Sequence, residues 1–168
     1  MKKIAIVSDA IYPYNKGGKE KRIFEISTRL ANAGNEVHIF TMKWWKEKTN
    51  HKIENNVNLH AISPLYPLYS GKRRSIKQAT YFALSCFRLL REKFDIIEAD
   101  HMPHLVLFSL KIVTLLKRKK LYATWNEVWG KSYWVEYLGH LGAIAYIIEW
   151  ISARLPDKII AVSEHTKQ

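Results

Sequence analysis

The sequence predicts an α/β fold: a Rossmann-like, doubly wound, mostly parallel sheet with helices on both faces. Three observations predict it. Short apolar runs such as Ile4-Ala5-Ile6-Val7 recur without alternation, the pattern of strands buried on both faces of a parallel sheet. Between them lie stretches whose apolar residues fall at helical spacing. Strand and helix alternate along the chain, which implies right-handed crossovers and one sheet covered from both sides.

The first strand covers residues 4–7 and is ended by polar Ser8 and Asp9. Ile23, Ile26, Ser27 and Leu30 then fall on one helix face, and Gly34 is placed to end that helix in a left-handed turn. Glu36-Val37-His38-Ile39-Phe40-Thr41 reads as the second strand, followed by an aromatic and basic segment over 42–52. Val57, Leu59, Ala61 and Ile62 mark a third strand, closed by Pro64. Residues 63–72, with two prolines and a glycine, read as a loop. A helix over 75–91 follows, with Tyr81, Leu84, Phe87 and Leu90 as its expected buried stripe. Asp95-Ile96-Ile97-Glu98-Ala99 is the fourth strand, and Pro103 opens a helix that runs to 116. The basic run 117–120 reads as a solvated link to a fifth strand over 121–125. A loop through Gly130 leads to one long helix over 133–155, and Pro156-Asp157 precede a sixth strand over 158–162. Residues 163–168 read as the cap and first turn of a further helix.

The 168 residues suit one domain with a real hydrophobic core. Lys and Arg number 27 against 15 Asp and Glu, a formal net charge of +12, so anionic partners are expected. The charge ranks nucleic acid, an acidic membrane and phosphorylated substrates without choosing among them. Cys86 is alone, which excludes an intrachain disulfide and points to a reducing compartment. The apolar run after Met1-Lys2-Lys3 is too short for a signal-peptide core. The most apolar window, 134–155, is interrupted by Glu136, His140, Glu149 and Arg154 and is not expected to span a membrane.

In a doubly wound sheet the ligand crevice lies outside the carboxyl ends of the strands. That rule brings residues 9–18, 100–104, 126–129 and 163–165 into one neighbourhood. The first loop lacks G-x-G-x-x-G, and the second strand ends in Thr41-Met42 where a ribose-binding carboxylate would stand, so a dinucleotide-binding oxidoreductase is excluded. No P-loop motif is present either. Gly17 and Gly18, ahead of a helix N-terminus, allow a phosphate or a sugar hydroxyl to approach backbone N–H groups, or they form only a surface turn. Asp100 beside His101 suits acid or base work, or Asp100 caps the helix opened by Pro103. With His104 they make a poor metal set, so no metal is expected. Asn126 and Glu127 could hold sugar hydroxyls or form a turn.

The order Ile4 to Val7, Tyr12-Pro13, Gly17-Gly18-Lys19-Glu20, Leu30-Ala31, Gly34 and Glu36-Val37 resembles the N-terminal half of family 4 retaining glycosyltransferases of GT-B fold. Asp95-Ile96-Ile97, Thr124-Trp125-Asn126-Glu127 and Asp157-Lys158-Ile159-Ile160-Ala161-Val162-Ser163-Glu164 continue the likeness in the family's order. The resemblance implies two Rossmann-like domains facing a cleft, with residues 1–168 as the acceptor-side domain and the nucleotide-sugar-binding domain beyond it. It implies transfer of a sugar from a nucleotide-sugar donor with retention of configuration, and a mechanism that requires no metal or other cofactor. Gly17 and Gly18 are carried over as lying near the donor phosphates and the acceptor; within that reading Lys19 and Ser163 are assigned as substrate or phosphate contacts, Asn126 and Glu127 as acceptor contacts, and Asp100 and His101 as the catalytic pair. Many relatives have His at the positions of Asp100 and Asn126, so the acceptor contacts differ here. Asn15 stands where glycogen synthases have Lys, which sets that branch aside.

A reading of a different class is a non-catalytic basic module for an anionic membrane or nucleic acid, with nucleic acid disfavoured. The expected location is the cytoplasm, with peripheral contact at the inner face of the membrane. Two segments motivate that contact, 42–48 with Trp44 and Trp45, and 65–74 with Lys72, Arg73 and Arg74, because they join interfacial aromatics to basic charge. Lipid-linked acceptors in relatives point the same way.

Overall fold

The computed structural model describes residues 1–167; Gln168 and the side chains of His165 and Lys167, in the expected terminal helix turn, lie outside the described residues. The chain runs β1 (Lys3–Val7), α1 (Gly18–Asn32), β2 (Glu36–Met42), β3 (His51–Glu54), β4 (Val57–Ser63), β5 (Tyr69–Ser70), β6 (Arg73–Arg74) and α2 (Ile76–Ser85). It continues through β7 (Ile96–Asp100), α3 (Leu105–Lys117), β8 (Lys120–Trp125), α4 (Gly130–Leu138), α5 (Gly142–Ser152), β9 (Lys158–Ala161) and α6 (Glu164–Lys167). The main sheet has the order β3-β4-β2-β1-β7-β8-β9, and every pairing in it is parallel except β3 with β4. From β1 the chain winds one way to β2 and later the other way from β7 to β8, so the winding reverses between β1 and β7.

The two faces carry separate cores. α1 buries Ile23 against Ile4, Ile6, Val37, Ile39 and Leu59. On the other face α2 and α3 bury Phe82, Leu107 and Leu110 against Val7, Phe40, Ile97 and Leu121. Cys86 sits wholly inside that second core. Gly34 ends α1 as expected, at φ 84°, with the Asn35 N–H returning to the Leu30 carbonyl at 3.2 Å.

Several elements differ from the sequence reading. The expected loop over 63–72 contains part of a small β5–β6 hairpin, turned at Gly71 with φ 62°. Part of the 42–52 segment forms β3, an edge strand paired to β4 through Asn55 and Asn56 at φ 49° and 61°, the left-handed pair a two-residue hairpin requires. β3 alternates exposed and half-buried residues, so it carries no apolar run to announce it. The helix over 75–91 is α2 followed by a 3-10 turn, Cys86–Arg91. Its buried side is Gln78, Phe82, Ala83, Cys86 and Leu89, whereas Tyr81, Leu84 and Leu90 face outward, which corrects the expected stripe. In so apolar a stretch two helical phases are equally greasy, and periodicity cannot choose between them. The single helix over 133–155 is broken at Gly139, φ 63°, into α4 and α5. At Gly142 a Cβ would strike the Trp134 backbone, so only glycine lets the two helices approach so closely.

Candidate active site at the switch point

The ends of β1 and β7 lie side by side where the winding reverses, the place a doubly wound sheet offers a ligand. Asp9, just past β1, is fully buried. Lys19 Nζ donates to its Oδ1 at 2.8 Å, and Gln78 Nε2 and Arg74 Nη1 donate to Oδ2 at 3.2 and 3.4 Å. Burial alone would push the Lys19 pKa down, but the carboxylates of Asp9 and Asp100 outweigh it and the ammonium is held protonated.

Asp100 ends β7 and is 4% exposed. Burial works to raise its pKa. The Lys19 charge, His101 and the Met102 N–H more than offset that, so its carboxyl stays below the usual range. Its Oδ2 accepts from Asn126 Nδ2 at 2.6 Å, and its Oδ1 accepts from the Met102 N–H at 3.0 Å. It therefore holds a turn rather than capping α3, which starts later with His104 at its N-cap. His101 Nδ1 lies 3.5 Å from both Asp100 Oδ1 and the Asn126 N–H. The His101 ring is 2% exposed and lies against Trp125 at 5.0 Å and His104 at 5.6 Å between centroids. His104 is buried beside Trp125 and Trp134, and burial lowers its pKa to about 3, so the ring is neutral.

Gly17 is the N-cap of α1 and gives the helix no side-chain cap, and the Glu20 carboxylate of the first turn lies against it. A Cβ at Gly18 would meet nothing, whereas one at Gly17 would strike the Glu20 carboxylate. One turn further, Arg22 Nη2 donates to Glu98 Oε1 at 3.2 Å and to Thr124 Oγ1 at 2.9 Å, tying α1 to β7 and β8.

The fold thus gathers Lys19, Asp100, His101 and Asn126 into one hydrogen-bonded and charge-coupled group, with Gly17 and Gly18 on the same helix end as Lys19. Glu127 and Ser163 stand at its edge, both exposed. The Ser163 hydroxyl accepts from the Thr166 N–H at 3.2 Å, and Thr166 Oγ1 donates to the Asn126 carbonyl at 3.2 Å. Arg22, Gln78 and Glu98 were not singled out from sequence, and Arg74 was singled out only as a basic residue of the 65–74 segment, not as a partner of this site. Asp9 carried the one usable signal, an acidic residue just past the first strand.

Of the 42–48 aromatics, Trp45 is buried in the fold and Trp44 half-buried, as in the alternative that these side chains pack under loops. Trp45 is 4% exposed and donates to the Thr49 carbonyl at 2.8 Å, while Trp44 donates to the Asp9 carbonyl at 2.9 Å. In the second segment Tyr69 is 58% exposed, and Arg74 is drawn inward to Asp9. Among the described residues no helix is long and apolar enough to cross a membrane.

A mostly parallel seven-stranded sheet with polar side chains gathered at its switch point is a Rossmann-like domain of the kind found in GT-B proteins. The chain belongs to glycosyltransferase family 4: a family model described as Glycosyltransferase Family 4 matches residues 16–168. Among solved structures it is similar to sucrose-phosphate synthase from Thermosynechococcus elongatus, at 15% identity and TM-score 0.62, over 97% of this chain and 43% of that one. It is also similar to a putative UDP-N-acetylglucosamine 2-epimerase from Listeria monocytogenes, at 9% identity and TM-score 0.56, over 98% of this chain and 40% of that one. At such identities the likeness is one of fold. The chain spans less than half the length of either structure. No curated protein matches it.

Proposed function

We propose that residues 1–168 are the acceptor-side domain of a two-domain retaining glycosyltransferase, which moves a sugar from a nucleotide-sugar to an acceptor hydroxyl. The observation that carries this reading is the uncapped N-terminus of α1, open at Gly18 and joined through Lys19 to the buried Asp9 and Asp100. Backbone N–H groups there suit donor phosphate, and the polar cluster beside them suits hydroxyls. In this reading the bond from the anomeric carbon to the nucleotide's terminal phosphate oxygen breaks on the face where the acceptor oxygen bonds. The acceptor proton passes to the leaving phosphate oxygen, so neither a metal nor a protein base is required. The protein contributes position and charge. Asn126, Glu127 and Ser163 meet the acceptor, Gly17, Gly18 and Lys19 meet phosphate, and Asp100 and His101 act from behind by fixing Asn126.

The work would be done in the cytoplasm, at the inner face of the membrane where the acceptor is lipid-linked. The test is transfer from a panel of nucleotide-sugars, with the anomeric configuration of the product read by NMR. The 168-residue chain alone should transfer nothing, and adding the donor-side domain should give a product of retained configuration. Turnover by the 168-residue chain alone, or an inverted product, overturns the reading.

A further inference from the structure

Directly beneath the switch-point site lies a second polar layer built to the same plan. Glu98 stands two residues before Asp100 on β7, Thr124 two residues before Asn126 at the end of β8, and Arg22 one helical turn after Gly18 and Lys19 on α1. A spacing of two on a strand, and of three or four on a helix, keeps each side chain on the face that carries its neighbour in the site. β7 and β8 pair with Asp100 opposite Thr124, so the same diagonal bond repeats. Thr124 Oγ1 donates to Glu98 Oε1 at 2.7 Å, and two residues up Asn126 Nδ2 donates to Asp100 Oδ2 at 2.6 Å. Arg22 Nη2 closes the lower layer, reaching Glu98 Oε1 at 3.2 Å and Thr124 Oγ1 at 2.9 Å. Lys19 holds the corresponding place above, bonded to Asp9 and acting on Asp100 by charge. Thr124 is wholly buried, and the Arg22 and Glu98 side chains are 22% and 14% exposed, so water competes little for these bonds. The apolar core on this face is drawn from α1, β1, β2, β4 and the loops beside them, and among the described residues none of it comes from β7 or β8. Across those two strands the helix is fastened by Arg22, Glu98 and Thr124 instead.

We infer that Arg22, Glu98 and Thr124 are positioning residues, a hydrogen-bonded spacer that sets how far the first turn of α1 stands from Asp100 and Asn126. Apolar packing would hold the helix on the strands yet let it slide, whereas one guanidinium nitrogen shared by two fixed acceptors defines a single register. The three act through other groups, since each lies one repeat away from the residues assigned to phosphate and acceptor. A shift of about 1 Å between Gly18 and Asn126 would part groups that must meet both substrates together, and a misplacement of that size costs up to roughly a hundredfold in rate. The inference rests on the transferase reading for the reaction, but the spacing itself is read in the 168-residue chain with no substrate present. Absence of sugar transfer therefore leaves the spacer to be decided by that measurement, and failure of the spacer leaves the transferase standing.

Two variants separate geometry from charge. Glu98→Gln keeps an acceptor for Thr124 and Arg22 but loses the charge, while Arg22→Lys keeps the charge and loses the planar fork. The first readout is the NMR signal of the Asn126 side-chain amide, whose proton toward Asp100 is held downfield by a short bond to a carboxylate. Arg22→Lys should move that signal upfield, and Glu98→Gln should leave it near the parent. Lys111→Met, which breaks a 2.9 Å ion pair to Asp157 on the α3 side of the sheet, should not move it. In the two-domain enzyme proposed above, Arg22→Lys should lower kcat roughly tenfold or more with KM changed less than about twofold, and Glu98→Gln should stay within about twofold of the parent in both. Should Arg22→Lys fail to melt cooperatively, Thr124→Val, which keeps both charges and removes the hydroxyl they share, is read in its place. The reverse ranking of Arg22→Lys and Glu98→Gln would show charge rather than spacing at work, and equal responses of the two would show that the layer sets no register. Either result overturns the inference, as does an Asn126 signal that moves as far in Lys111→Met as in Arg22→Lys.

Discussion

Replacing Asp9 by Asn should destabilise the folded chain by about 3–5 kcal/mol, the usual cost of removing one partner from a buried ion pair while the other stays charged. The burial supports the upper part of that range, since the Asp9 side chain is 0% and the Lys19 side chain 12% exposed. Little solvent reaches the ammonium, which would be left with Glu20 Oε1 at 4.0 Å and the charge of Asp100. Asn keeps one acceptor oxygen, but its amide nitrogen must then face Gln78 Nε2 or the Arg74 guanidinium, both donors. For a chain of this size a melting temperature moves by roughly 2–4 °C per kcal/mol, so the fall should be about 6–20 °C. The assay is urea and thermal denaturation at neutral pH by circular dichroism. Asp9→Asn with Lys19→Met removes both charges, and the double variant should recover about 1.5 kcal/mol or more relative to the sum of the singles. A single variant within about 1 kcal/mol of the parent, or strict additivity of the two changes, would show that the pair is not held as a buried ionic unit.

Three further outcomes follow from the same geometry. Glu149 is buried and accepts from the Trp129 and Gly130 N–H groups and from Trp134 Nε1 at 3.1, 3.2 and 2.8 Å, so Glu149→Leu should cost about 3 kcal/mol or more and redden tryptophan emission. Glu149→Gln, which keeps an acceptor, should cost less than half as much, and equal costs would refute the role of the hydrogen bonds. Burial lowers the His60 and His104 pKa values to about 4 and about 3. The unfolded chain, near 6.5 at each, then binds protons that the folded chain refuses, so stability should fall as pH drops from 6.5 toward 4, by up to about 1.4 kcal/mol per pH unit for buried His104 and by less for the half-buried His60, which solvent screens. A urea midpoint series unchanged in slope by His60→Asn with His104→Asn would refute it; Asp100, lowered in the fold, adds its own loss only below the ordinary carboxylate range. Gly18→Val meets open space in the fold, so it should leave melting within about 1 kcal/mol while removing sugar transfer in the two-domain enzyme proposed above, and retained turnover would make the loop a mere turn.

The strands of the parallel sheet were legible because burial on both faces leaves an unbroken apolar signature, as at Ile4 to Val7. Where one face is solvated or the element lies at an edge, that signature disappears. β3 is the example, and only its Asn55-Asn56 turn could have announced it. α2 illustrates the opposite failure, an excess of apolar residues that leaves its phase to be set by the Ser75 cap and by Gln78 reaching Asp9. At the site, Gly17, Gly18, Lys19, Asp100, His101 and Asn126 were legible as residues just past strand ends. Arg74 and Gln78 were not, because they arrive from a hairpin and a helix on the far side of the sheet's winding. No local pattern encodes that meeting.

The basic composition was read as a guide to partners, and the geometry separates that charge from the site. Lys19, Arg22 and Arg74 are matched there by Asp9, Glu98 and Asp100, so the cluster is close to neutral. A phosphate arriving beside it meets backbone N–H groups at the start of α1 rather than a surplus of cations. The +12 excess therefore lies elsewhere, on groups such as Lys72 and Arg73 that stand free on the β5–β6 hairpin among the described residues. Surface charge of that kind raises encounter rates and salt sensitivity, while specificity has to come from the buried, paired groups. Raising ionic strength should accordingly weaken capture of an anionic acceptor more than it changes the choice between acceptors.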